Sequence, residues 1–338
     1  MKLALWHWHI EISSRCTLKC PRCARTEVPD TLVQTELDLD FFKRNFTPSF
    51  ILEHVEKITF CGDDGDPIYA PDLIPVIAYF KSVKSVKIVI VTNGSYKPTK
   101  WWESLGAVLD ANDHIYFSLD GWNQESNEKY RVNSNWESIT SGVSTIRSTS
   151  QVYMTWAAIA FSFNQDKIDF MKSMAQTLGF DQFQLTLSTK FNRIYSSSYP
   201  ENDHLQPRDE LTSSSLRFER VLTKFNDRAD SEVGTTQITE RFGRSIAINN
   251  VVPLCQIGTI GLFINSRGNF FPCCWVANRY THNRDWSELG EAFNLKKNTL
   301  EEVLTNPFWD GKFQDFAWTE CQTKCNAQVV NINYASQW

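Results

Sequence analysis

Nine cysteines stand in this 338-residue chain, and three of them fall within the stretch "SSRCTLKCPRC" as Cys16, Cys20 and Cys23. Thiolates this close are metal ligands by type and spacing. A structural zinc site needs a closed tetrahedral shell, so a lone triplet would have to borrow a distant fourth ligand. An iron–sulfur cluster held by three thiolates instead leaves one iron open to a group that is not protein. A second set lies toward the C-terminus: Cys255, Cys273 with Cys274 beside it, then Cys321 and Cys325. Cys61 stands apart from both sets.

The elements that must position these residues follow from periodicity. "LWHWHIEIS" alternates Trp6, Trp8, Ile10 and Ile12 on one face and predicts a strand that ends just before the triplet. Apolar runs at 57–60, 86–94, 114–121, 152–161 and 181–188 predict five more strands. Helical spacing over 71–83, 135–146 and 165–179 falls between them, with Pro71 and Asn135 as starts and Gly179 as a stop. Alternating strands and helices predict an α/β fold with a parallel sheet, and six such units suit a partial (β/α)6 barrel rather than a full eight. Reactive groups of such barrels gather at the carboxyl ends of the strands, where the triplet sits.

The first domain is expected to span 1–195, followed by a polar linker over 196–250 containing an amphipathic helix at 216–225. A cysteine-rich α+β domain over 251–338 is expected last. Its first feature is a hairpin, "GTIGLFI" and "NFFPCC" joined through "NSRG". Its second is a short helix from "NTLEEVL" capped by Asn298 or Thr299.

A net charge of −5 gives no support for a polyanionic partner such as nucleic acid. No apolar run approaches the ~20 residues that cross a bilayer. The histidines and glutamate of the N-terminal stretch break any signal-peptide core. A cytoplasmic setting without membrane association is expected, where cysteines serve metals or catalysis more than disulfides.

The loop Cys16-x3-Cys20-x2-Cys23 resembles the hallmark of the radical S-adenosylmethionine (SAM) superfamily. The resemblance implies a [4Fe–4S] cluster on these three thiolates, with its fourth iron taken by the amino and carboxylate groups of SAM. Further along, "CGDDGDP" resembles the family's Gly-Glu-Pro segment, with Gly65, Asp66 and Pro67 in matching positions and Asp where Glu is commoner. Its implied role is a close backbone approach to the methionine ammonium. "TNG", carrying Thr92 and Asn93, and "SLDG", carrying Ser118 and Asp120, resemble strand ends of peptide- and sugar-modifying members. Arg131 occupies the place where those relatives pair an arginine with the SAM carboxylate, with Ser118 as a neighbouring hydroxyl. Arg22 replaces the usual aromatic residue against the adenine, where a guanidinium can stack instead. Arg25 is expected near the cluster.

The C-terminal set resembles the auxiliary-cluster domain called Twitch, a shortened relative of SPASM, in which four cysteines hold a second [4Fe–4S] cluster. Cys255, Cys273, Cys321 and Cys325 are the matching residues, with Gly268 five residues before Cys273 in the hairpin turn. Cys274 is the alternative to Cys273. A zinc site on the same four cysteines is the competing reading, and with it a non-catalytic binding module.

What the resemblance implies is reductive cleavage of SAM to a 5′-deoxyadenosyl radical and abstraction of hydrogen from a substrate carbon. A closed auxiliary cluster favours net oxidation, with the cluster as electron acceptor. Redox-neutral epimerisation, with Cys61 as hydrogen donor, or cyclisation is the alternative. The substrate is expected to be a small molecule, a carrier-bound group or a peptide. No leader-binding or methyl-carrier domain is expected. An electron donor such as flavodoxin or ferredoxin is implied. "HWH" at 7–9 has metal-like spacing but reads as strand packing.

Overall fold

The computed structural model describes residues 3–27, 29, 32–187, 204–212, 219–228, 254–256, 258, 260–277, 290–309, 321 and 325. In chain order the strands are β1 (His7–Ile10), β2 (Lys57–Phe60), β3 (Lys87–Thr92), β4 (His114–Ser118), β5 (Tyr153–Ile159), β6 (Gln182–Leu187), β7 (Glu219–Lys224), β8 (Leu262–Ile264) and β9 (Phe270–Phe271). The helices are α1 (Ala24–Glu27), α2 (Leu39–Asn45), α3 (Pro48–His54), α4 (Leu73–Val83), α5 (Thr99–Val108) and α6 (Gln124–Glu128). They continue with α7 (Trp136–Thr149), α8 (Ile168–Thr177), α9 (Cys274–Ala277) and α10 (Leu300–Leu304). None of these helices is long and apolar enough to cross a membrane.

The chain forms two compact units. The first comprises Met1–Arg15, Val33–Val89 and Ser231–Trp338. Here β1 has a parallel neighbour on each edge: β2, in register from His7 opposite Lys57 to Ile10 opposite Phe60, and β8, from Trp8 opposite Leu262 to Ile10 opposite Ile264. β9 returns antiparallel to β8, placing Phe271 opposite Phe263, and the turn between them uses Gly268 at φ 88°. The predicted hairpin is therefore present, and its first strand joins the main sheet.

Two helices that the strand-and-helix reading left unassigned, α2 and α3, lie between β1 and β2. Their local signals are plain in retrospect. The Asp38 side chain accepts the Phe41 N–H at the start of α2, and Thr47 followed by Pro48 starts α3. Phe42 and Phe46 pack edge-on to Phe80, and Phe46 meets Trp8 at 5.0 Å between ring centroids. α4 begins two residues later than Pro71 suggests, at Leu73 after Asp72. The Asp72 carboxylate leaves its own helix uncapped and accepts the Leu39 N–H of α2 at 2.9 Å.

The second unit comprises Cys16–Leu32 and Ile90–Asp230. β4, β5 and β6 are parallel neighbours, and β7 closes on β6 antiparallel over six residue pairs. Asn135 caps α7 as expected, and Gly179 at φ 84° follows α8. α5 and α7 pack closely because Gly142 presents no Cβ, which would lie 2.6 Å from the Trp102 ring.

The amphipathic helix expected at 216–225 is corrected: Glu219–Lys224 is strand β7. A helix there would have left the β6 edge with unpaired backbone groups, and ladder pairing satisfies them. Val221 and Leu222 are adjacent and both about half exposed, so they form no helical stripe facing a core.

Asp181, at the start of β6, ties this unit together. Its carboxylate accepts the Met154 N–H at 2.8 Å, Arg147 Nη2 at 2.7 Å, Arg228 Nη1 at 3.1 Å and Asn226 Nδ2 at 2.9 Å. Burial pushes its pKa up, but the Met154 N–H, Asn226 and Arg147 outweigh that and hold it below the usual value. A depressed carboxylate stabilises the fold above the unfolded-state pKa and loses that contribution as pH falls through the folded value. Asp181→Ala, which strands two arginines, is expected to destabilise the protein by about 3 kcal/mol at pH 7. The gap from wild type should narrow below pH 4, and denaturant titrations at the two pH values check this. A gap unchanged by acid would contradict the account.

Candidate cluster and cofactor sites

The loop that follows β1 gathers the first three thiols. Cys20 is buried with Leu18, Tyr130, Phe161 and Leu205, and Cys16 and Cys23 pack against the same group. Two hydrogen bonds fix the loop: Lys19 N–H to Val132 O at 3.0 Å, and Asn133 Nδ2 to Thr17 O at 2.8 Å. Arg22, buried and at φ 23°, turns the backbone so that Cys23 N–H bonds back to Cys20 O at 3.3 Å. Positive φ is uncommon outside glycine, so this turn is imposed by its surroundings. α1 starts directly after it. Cys16 Sγ accepts Leu18 N–H at 3.4 Å and Asn93 Nδ2 at 3.7 Å.

The strand ends singled out by the sequence lie in the same unit. Thr92 Oγ1 accepts Gly94 N–H at 3.0 Å, and Gly94 at φ 73° makes the turn after β3. Ser118 ends β4 partly exposed. Asp120, fully buried, accepts Ile159 N–H at 2.7 Å and pairs with Arg131 Nε at 2.6 Å. The Arg131 guanidinium also lies 5.3 Å from the centre of the Tyr130 ring. Burial disfavours its charge, but Asp120 and Cys20 outweigh burial and raise its pKa. Tyr130 was not singled out from the sequence. It links Arg131 to the thiol group.

In the first unit, the 62–67 loop is shaped by contact with the segment after β1. A Cβ on Gly65 would lie 1.9 Å from Ser13 O and 2.6 Å from the Ser14 carbonyl carbon, so only glycine fits. Asp66 N–H donates to Arg15 O at 2.8 Å. Asp66 Oδ1 accepts Ile68 N–H at 3.2 Å and caps the single 3-10 turn Pro67–Tyr69. Glu11, also missed from the sequence, is buried beside this loop. Burial, then Asp64 and Asp63, push its pKa up to about 8. Burial, then Asp63, Asp66 and Glu11, push the Cys61 thiol up as well.

His7 and His9 are packing residues, as expected. His7 bonds Thr59 Oγ1 at 3.1 Å, and His9 bonds Cys61 O at 2.8 Å. Burial pushes both down, His9 to about 4.

The same unit holds the C-terminal cysteines, and all nine cysteines of the chain are free thiols. Cys255 is buried and feels Cys273, Cys325 and Cys321. Cys273 in turn feels Cys325 and Cys321, and it receives the backbone N–H groups of Val276 and Trp275 at α9. Cys325 N–H bonds Cys321 O at 3.0 Å, which fixes that pair in one turn. Cys274 differs: its neighbours are Asp63, Cys273 and Cys61. Among the described residues, no three His, Cys, Asp or Glu side chains close on one point as a single ion requires. A four-iron cluster gives each thiolate its own iron and so spaces them more widely. Buried thiols that raise one another's pKa, with amides aimed at one sulfur, are the donors that such a cluster deprotonates on binding.

No family model matches the sequence, and no curated protein does. The fold does match solved structures. Streptococcus suis SuiB bound to S-adenosylmethionine superposes with a TM-score of 0.58 over 96% of this chain and 72% of that one, at 13% identity. SuiB bound to its precursor peptide SuiA gives 0.56 over 97% and 70%, at 15% identity. Native anSMEcpe with bound AdoMet and Cp18Cys peptide gives 0.53 over 95% and 86%, at 14% identity. These are radical SAM enzymes with SPASM domains, and the chain has their fold: α/β, with a parallel sheet forming a partial TIM-like barrel.

Gly65→Ala drives a methyl group into the Ser13 carbonyl. It is expected to cost about 3 kcal/mol or more in stability, measured by denaturant titration. A variant with an unchanged midpoint would contradict the close approach described for this loop.

Proposed function

We propose that this chain is a radical SAM enzyme with two [4Fe–4S] clusters, one on Cys16, Cys20 and Cys23 and one on Cys255, Cys273, Cys321 and Cys325. The observation that carries the reading is how seven thiols sort: three on one short loop around one buried group, four in mutual range elsewhere. Three thiolates leave a four-iron cluster open to SAM, and four close it. When bound, the first cluster supplies the electron that cleaves SAM reductively to methionine and a 5′-deoxyadenosyl radical able to take hydrogen from a substrate carbon.

The chain's own residues hold and orient the cosubstrate. Asp120 takes Arg131 Nε, which directs the two terminal nitrogens of the guanidinium to a carboxylate in a bidentate pair. Asn93 Nδ2 donates to the Cys16 sulfur and orients it. The 62–67 loop brings backbone and the acids Asp63, Asp64 and Asp66 together, an environment that suits a cationic ammonium. Thr92 and Ser118 supply hydroxyls at strand ends, and Arg22 a buried guanidinium for the adenine face.

Full ligation of the second cluster supports an electron acceptor, and with it net oxidation of the substrate. Peptides bound to SuiB and anSMEcpe support a peptide as the substrate class here, ahead of a small molecule or a carrier-bound group. A flavodoxin- or ferredoxin-like protein would supply electrons. One observation favours redox-neutral chemistry as the second reading: Cys61 is kept as a neutral thiol by burial and by Asp63, Asp66 and Glu11, the form that donates a hydrogen atom.

Alanine at Cys16, Cys20 and Cys23 together is expected to abolish 5′-deoxyadenosine formation from SAM under dithionite, followed by chromatography. A triple variant that still forms it at the wild-type rate would refute the assignment.

A further inference from the structure

Glu11 carries a carboxyl on the residue directly after β1, and it is only 2% exposed. A buried carboxyl needs partners, and four hydrogen bonds converge on it from two distant segments. Oε1 accepts the Asp64 N–H at 2.6 Å and the Gly65 N–H at 3.3 Å. Oε2 is bonded to Ser266 through the backbone N–H at 3.2 Å and the hydroxyl at 3.2 Å. Its own backbone N–H donates to Ile264 O at 2.9 Å. Gly62 makes room for the side chain, since a Cβ there would sit 2.7 Å from Oε1. Thr35 Oγ1 holds the Ser266 carbonyl at 3.2 Å from the other side.

We propose that Glu11 is a positioning residue that clamps the 62–66 loop to the hairpin turn at Ser266, so that one side chain sets both the SAM-facing loop and the hairpin leading to Cys273. This rests on the reading of that loop given under Proposed function. None of the four bonds is needed to build β1, whose ladders with β2 and β8 are complete without the side chain. Burial and the charges of Asp64 and Asp63 push its pKa up, and the backbone N–H groups of Asp64 and Ser266 act against them. Glutamine keeps the length but has one accepting oxygen, so its amide nitrogen would face the N–H donors of one of the two segments and release that segment. Aspartate is too short to reach both segments.

The test uses full-length, anaerobically reconstituted protein, with SAM affinity measured by equilibrium dialysis and iron content measured in parallel. Glu11→Ala is expected to weaken SAM binding by about tenfold or more, with wild-type iron content, and Glu11→Gln, which keeps only one of the two segments, to fall between Glu11→Ala and wild type. Ser266→Ala, which deletes one hydroxyl and is the milder change should Glu11→Ala not fold, is expected to weaken binding about fivefold. Glu11→Ala or Glu11→Gln binding SAM as tightly as wild type does would overturn the proposal. So would Ser266→Ala matching wild type. Wild-type protein that binds no SAM would overturn the functional reading instead. Amide hydrogen exchange over 62–66 then judges the clamp alone: faster exchange in Glu11→Ala upholds it, and unchanged exchange overturns it.

Discussion

Strand β1 is paired in parallel on both edges, and much of the first unit is arranged by that constraint. Its backbone donors and acceptors are used by β2 on one side and β8 on the other, so the strand cannot slip without exchanging its two faces. One face buries Trp8 and Ile10, with Trp8 edge-on to Phe46. The other carries His7 and His9, buried and neutral. With the register fixed, the residues that follow are delivered in order: Glu11 to the loop and hairpin, Ser13 and Ser14 against Gly65, Arg15 to Asp66, and then the first cysteine. β8, from the C-terminal segment, is a direct neighbour of the strand that leads into the cluster loop.

Charge divides the candidate groups in a way that suits their proposed ligands. The triplet shares its surroundings with the Arg131 cation, which is held by Asp120 and stacked on Tyr130. The 62–67 loop is acidic, and its neighbouring groups, Glu11, Cys61 and Cys274, are all pushed toward their protonated forms. Cys273 and Cys274, adjacent in sequence, fall into different environments for the same reason: one faces three other thiols and the other faces an acid.

How much of this was legible depended on whether the signal was local. The alternation of 6–12, the Asn135 cap and the Gly268 turn each act within a few residues and were read correctly. α2 and α3 carried equally local caps, Asp38 and Thr47-Pro48, but their phenylalanines cluster too densely to show a clean helical stripe. β7 was misread because Val221 and Leu222, between Phe218 and Phe225, satisfy a helical spacing, and only the exposed edge of β6 selects a strand. Glu11 was invisible as a site. In an alternating strand a glutamate reads as a solvent-facing position, and its partners lie 53 and 255 positions away. The cysteine spacing is local as well: Cys16, Cys20 and Cys23 meet one buried group on one loop, while Cys255, Cys273, Cys321 and Cys325 come into range of one another only through the fold.

Two cysteine sets are proposed to hold two clusters, only one of them open to SAM. Electron paramagnetic resonance of the dithionite-reduced, reconstituted protein, recorded with and without SAM, addresses this directly. Two reduced-cluster signals are expected, one of which shifts on adding SAM while the other stays fixed. A single signal, or two that both ignore SAM, would contradict the account.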